Sequence, residues 1–133
     1  MNPSIDCIID FATSQALPME ETIDHPDLFS PPYQAKTWTH YSDPSGVFAA
    51  GVWEAESCIE KFVAEHEEFC HIIQGSVRLT DEQGYAKTFG PGSQFTIAAG
   101  FRGLWENLGL VRKAYVIWTP PKPAEQPASL LQP

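Results

Sequence analysis

Basic side chains are scarce in this sequence. Eight lysines and arginines stand against seventeen aspartates and glutamates in 133 residues, a formal charge of −9. Such a field repels phosphate backbones and anionic headgroups, so neither nucleic acid nor a membrane surface is expected as a partner. A small anion is not excluded, because one local cation overrides the global field. Cysteine is sparse too. Cys7, Cys58 and Cys70 are scattered and form no CxxC pair, which argues against a disulfide framework and a structural zinc site. No apolar run approaches the roughly 20 residues that span a bilayer. The N-terminal "MNPSIDCIIDFATSQALPMEET" carries early acidic residues and no positive region ahead of an apolar core, so no secretory leader is expected. These absences predict a soluble cytoplasmic protein.

What is present is a core-forming composition, 43% hydrophobic and 12% aromatic, in a chain of one-domain length. Within residues 1–45, the stretch from 18 to 44 holds Pro18, Pro26, Pro31, Pro32 and Pro44, which predicts an extended or looping segment with at most short strands. Phe29, Tyr33, Trp38 and Tyr41 give that segment something to pack with. From Val47 the pattern becomes short β-branched and aromatic runs at 47–54, 58–64, 68–74, 76–80, 86–89, 94–99, 103–107 and 113–119. Turn chemistry separates them, at Gly75, "DEQG", "GPG", Gly100 and "NLG". Strands at that spacing predict an all-β sandwich or barrel. The proline-rich tail, 120–133, is expected to be extended.

The stretch "HEEFCHIIQG" (66–75) concentrates metal-ligating side chains. Strand alternation divides them, with His66, Glu68, Cys70 and Ile72 on one face and His71 on the other. Donors at alternate positions of one strand stand about 6 to 7 Å apart, too far for ligation at near 2 Å from that strand alone.

In order and spacing, "GVWE", "EFCHIIQGSVRLTDEQG", "FGPGSQFTIAAGFRGLWEN" and "VRKAYVIW" resemble the cupin superfamily. They are most similar to its small single-domain group related to the cupin domain of ureidoglycine aminohydrolase. The resemblance implies a jelly-roll barrel over 46–119, a homodimer, and an N-terminal segment, 1–45, that crosses onto the partner. Glu68, Gly75, Gly92, Gly100 and Asn107 match the two cupin motifs. The first motif's histidines belong within Lys61–Ala64 and the second's at Gly103, and neither place holds one. The Glu-His-His-Gln ligand set of the aminohydrolase is missing as well. A lone carboxylate holds a divalent metal weakly, so no metal cofactor is expected. The lesser alternative is a shifted divalent site at His66 and Glu68.

By this register Glu68 faces inward among Phe62, Ala64, Cys70 and Ile72. Desolvation is expected to raise its pKa and suit it to acid or base work; the competing reading pairs it structurally with an arginine or a tyrosine hydroxyl. Cys70 reads as a small buried hydrophobe, His66 as a rim residue and His71 as an outer-face histidine. Ala64 and Gly103 free the space that imidazoles would fill, leaving a pocket walled by Phe62, Phe101, Trp105 and Tyr115. Trp53 and Trp105 both stand in "WE" pairs, a repetition with no evident reason in the sequence. The leading expectation is a small-molecule-binding cupin anchored by Glu68. An enzyme acting on a small nitrogenous metabolite, with Glu68 as acid/base, is the second. A filled barrel with a structural or interaction role is the third.

Overall fold

The computed structural model describes residues 4–120 and places ten strands in two antiparallel sheets. The strands are β1 (Met19–Ile23), β2 (Tyr33–Ser42), β3 (Phe48–Ala55), β4 (Cys58–Val63) and β5 (Glu67–Gln74). β6 (Val77–Asp81), β7 (Ala86–Phe89), β8 (Gln94–Ile97), β9 (Arg102–Asn107) and β10 (Val111–Trp118) follow. One sheet runs β1-β2-β3-β10-β5-β8 and the other β4-β9-β6-β7. Each run predicted after Val47 is a strand, with ends within two residues of those expected. Among the described residues no helix is long and apolar enough to cross a membrane.

The proline-rich N-terminal segment departs from expectation. β2 spans ten residues rather than a short stretch, because Pro31 and Pro32 precede it and Pro44 follows it. Those prolines bound the strand without removing a donor from its ladder. β2 pairs with β3 of the same chain, from Ala35 opposite Ala55 to Ser42 opposite Ala49, and contributes Tyr33 and Ala35 to the core. The tail expectation beyond Pro120 lies outside the described residues.

Between the sheets the core centres on Ile72, Val77, Val111 and Cys70, all fully buried. β5 alternates as its sequence predicts: Glu68, Cys70 and Ile72 are buried, while Phe69 and Ile73 are exposed. Its register depends on the turn at Gly75, which has φ +81° and whose added Cβ would stand 2.1 Å from the Leu110 carbonyl oxygen. Gly84, in the β6–β7 turn, has φ +94° with nothing within 4 Å of an added Cβ. Gly75→Ala is therefore expected to destabilise by about 2 to 5 kcal/mol, combining left-handed strain with overpacking, and Gly84→Ala by about 1 to 2 kcal/mol. Urea unfolding of both variants checks the difference; equal losses would show that the Leu110 contact is relieved cheaply.

Candidate ligand site between the sheets

β5 brings Glu68 to the inner face, and the adjacent strand β10 brings Lys113 to the same face. Lys113 lies opposite Trp53 on β3 and Ile72 on β5, so its four-carbon stem runs along the sheet to reach Glu68. Its Nζ donates to Glu68 Oε2 at 2.7 Å, with the two residues only 6% and 7% exposed. Cys70 Sγ donates to the same oxygen at 3.2 Å. The ammonium is boxed by two indoles, 4.7 Å from the Trp53 ring centroid and 4.3 Å from that of Trp105. These rings come from opposite sheets and meet edge to face at 5.9 Å. Trp105 is held by its Nε1–H, which donates to Asn107 Oδ1 at 2.8 Å; Asn107 in turn donates to the Glu56 carbonyl at 3.0 Å.

The charges settle as an ion pair. Burial pushes the Glu68 carboxyl up, but the Lys113 charge and hydrogen bond, the Cys70 thiol and the nearby His66 together bring it below the ordinary glutamate value. The rise expected from desolvation alone is thus reversed, because Lys113 stands beside the carboxylate. Burial likewise pushes the Lys113 ammonium down, and Glu68 with Cys70 more than offsets it, leaving Lys113 above its usual value. The Cys70 thiol is pushed up to about 12, chiefly by burial and then by Glu68 against the opposing effect of Lys113. It is a protonated donor, not a nucleophile.

Two cavities flank the pair. A cavity of about 200 Å³ is lined by Glu68, Lys113, Glu60 and Tyr33, with walls of Trp53, Phe62 and Trp105. Glu60 Oε2 accepts from the Tyr33 hydroxyl, and Glu60 Oε1 stands 3.6 Å from His25 Nε2. The second cavity, about 390 Å³, shares Trp53, Glu68 and Lys113 and adds the hydroxyls of Thr37, Thr39 and Tyr115. Both protein contacts of Glu68 end on Oε2. No buried side-chain oxygen or nitrogen among the described residues lacks a partner. Oε1, which has none, is therefore not fully enclosed, on a residue that lines both cavities.

Of the residues expected at the site, Phe62, Glu68 and Trp105 meet in the smaller cavity, and Tyr115 lines the larger one. Cys70 lies buried beside Glu68. Phe101 touches Phe62, with centroids 6.2 Å apart, yet lines a separate groove. His66 is half-buried near Glu68 and lines neither cavity; His71 is on the outer side, within 3.0 Å of the Gln94 amide. The carboxylate's partner is a lysine, not an arginine or a tyrosine. Lys113, Trp53, Glu60 and Tyr33 were missed. The signal for Lys113 was its shared parity with Tyr115 in "VRKAYVIW", and for Glu60 its shared parity with Phe62 in "CIEKFV". The space expected at Gly103 is absent as well, since an added Cβ there would stand 1.9 Å from the Thr80 carbonyl oxygen of β6.

The family described as the EutQ-like cupin domain matches residues 42–115, more than half of the chain. This chain belongs to that family. The cupin jelly roll expected from the motifs is accordingly its fold. A DUF861-family protein of unknown function from Pseudomonas syringae is similar at 25% identity and a TM-score of 0.70, over 78% of this chain and 45% of its own. This chain thus spans less than half of that relative. A putative ethanolamine utilization protein Q from Salmonella typhimurium shares the fold at 14% identity and a TM-score of 0.59, over 79% and 98% of the two chains. The Clostridium difficile EutQ protein does so at 16% and 0.59, over 72% and 70%. No curated protein matches the sequence. The family model and these structures give the expected likeness to ureidoglycine aminohydrolase no support.

The fold family implies a metal, and the residues do not fit one. Where ligands belong stand Phe62, Ala64 and Gly103, and Glu68 is already bonded to a cation. Among the described residues no three His, Cys, Asp or Glu side chains are grouped to hold a metal, at His66 and Glu68 or elsewhere. A divalent ion on Glu68 would also meet the repulsion of Lys113 in a medium of low dielectric.

Breaking a buried pair leaves an uncompensated charge, so Lys113→Met is expected to cost about 3 to 5 kcal/mol. The Glu68→Gln/Lys113→Met double variant is expected to lose less than the sum of its parts. Urea titrations of the singles and the double measure the coupling, and simple additivity would sink the reading. The pH dependence has a definite sign. Glu68, lowered on folding, stabilises fully above its unfolded pKa of about 4.3 and less as pH falls through its folded value. Lys113, raised on folding, stabilises fully below about 10.4 and less as pH rises through its folded value. The pair's contribution is flat between roughly pH 5 and 10 and falls off outside. In Lys113→Met the unopposed burial raises the Glu68 carboxyl, so that variant gains stability on acidification from about pH 7 to 5, where the parent's pair contribution is constant. Urea unfolding across that range checks it.

Proposed function

We propose that this cupin binds a small neutral metabolite carrying planar N–H donors, an amide or ureido compound, in the cavity between Glu68 and Glu60. The observation that carries the proposal is the free Glu68 Oε1. It belongs to a buried, ionised carboxylate whose other oxygen is already taken. An ionised acceptor left open in this way suits a ligand N–H donor. Lys113, bonded to the same carboxylate, repels a second full cation there, which favours a neutral donor over an ammonium. Trp53, Phe62 and Trp105 supply apolar walls for a planar group. About 200 Å³ limits the ligand to roughly six or seven water-sized groups.

Two features favour binding over acid–base catalysis. Glu68 lies below the ordinary carboxylate value, so at neutral pH it is ionised and is a poor general acid. Cys70 is held protonated. The cavities beside the pair weigh against a filled barrel.

Calorimetry with acetamide, methylurea, methylammonium and acetate tests the reading. The two neutral N–H donors are expected to bind, and Glu60→Gln and Glu68→Gln to weaken them about tenfold, roughly the worth of a hydrogen bond to a charged group. Acetate or methylammonium binding more tightly than both neutral donors would overturn it, as would four silent titrations.

A further inference from the structure

A third cavity, larger than the two beside Glu68, lies at the free edge of the two sheets. β7 ends one sheet and β8 ends the other, and between them runs a groove of about 740 Å³. It shares no lining residue with either cavity beside Glu68. Strand register explains its apolar floor. Phe89 lies opposite Val77 on the β6–β7 ladder, while Phe95 and Ile97 lie opposite Cys70 and Glu68 on the β5–β8 ladder. All therefore share the inner face. Phe89 and Phe95 stack between the two edge strands with centroids 4.0 Å apart, and Phe101 also lines the groove.

Lys87 breaks the pattern. It lies opposite Leu79 and so on the inner face, where it lines the groove, although a solvated lysine would be expected on the outer one. Among the described residues, every other lysine and arginine lies within 4.0 Å of a carboxylate: Lys36, Lys61, Arg78, Arg102, Arg112 and Lys113. Lys87 does not. The acidic residue on the groove, Asp81, is committed through Oδ1 to the Gln83 and Tyr85 amides of its own turn. In a chain of net charge −9, a lysine with no carboxylate within 4.0 Å at the edge of an apolar groove is a local cation that an anion can reach.

We propose that the groove between β7 and β8 is a second binding site, for a small amphipathic monoanion, its apolar body on Phe89, Phe95 and Phe101 and its carboxylate on Lys87. The volume falls in the range of small-molecule sites, about 300 to 1,000 Å³. The edge strands, four residues each, are too short to make strand addition by a peptide the favoured occupant.

Octanoate and octanol, titrated against the full chain by calorimetry and by displacement of 8-anilinonaphthalene-1-sulfonate fluorescence, separate the two halves of the proposal. Octanoate is expected to bind one-to-one. Lys87→Gln is expected to weaken it about fivefold, the worth of an ion pair at a groove mouth, and to leave octanol unchanged. Added salt is expected to act on octanoate alone. Phe95→Ala, checked by circular dichroism for retained strand content, weakens both ligands. Octanoate affinity unchanged in Lys87→Gln would overturn the assignment. So would absence of binding, including the case where light scattering shows a dimer, in which a second copy covers the groove.

Discussion

The interior of this barrel is organised around one salt bridge, Lys113 to Glu68. Removing both charges from water costs several kcal/mol per ion, and the attraction between them offsets this only when the remaining polar capacity is satisfied. The surrounding residues meet that condition one by one. The Cys70 thiol adds a donor to the carboxylate, and two indole faces take the ammonium. Trp105 needs its own nitrogen satisfied to serve, which Asn107 does, and Asn107 is held by the Ala55–Glu56 backbone. The asparagine that matches the end of the second cupin motif therefore acts on the pair at one remove.

The same constraint explains the twice-occurring "WE". In "GVWEA" and "GLWEN" the tryptophan faces inward from its own sheet, and the two together form the box around Lys113. The following glutamate, by alternation, faces outward, where each finds an arginine: Glu54 with Arg112 at 3.1 Å and Glu106 with Arg78 at 3.4 Å. One dipeptide thus supplies an inner wall and an outer ion pair. The outer pairs are partly exposed and contribute little. The inner walls set the shape of the cavity.

Much of the barrel was legible because strand periodicity is local. The runs after Val47, the glycine turns and the inward parity of Glu68 all follow from residues close in sequence. What was not legible depends on residues far apart. Glu68 and Lys113 are 45 positions apart, and while local parity places Lys113 on the inner face, nothing near Glu68 in sequence pairs the two. Gly103 shows the opposite error. A glycine was read as vacated space, when the carbonyl of Thr80 on the next strand fills that space. β2 was underestimated because proline number was weighed above proline position, and all ten of its residues fall between Pro32 and Pro44.

A fixed lysine also changes what the barrel centre attracts. A divalent ion bound to Glu68 alone would leave that centre positive and drawn to anionic oxygen. Lys113 brings a single charge, which Glu68 neutralises, and Glu60, lining the same cavity, is engaged by the Tyr33 hydroxyl and lies near His25. The polarity of the inner site is reversed relative to a metal-bearing one, and its open atom, Glu68 Oε1, is an acceptor. The unpaired cation of the described chain lies elsewhere, on Lys87 beside the outer groove. The two proposed recognition chemistries are thus separate in space: N–H donors toward the centre of the barrel, and anions toward its open edge.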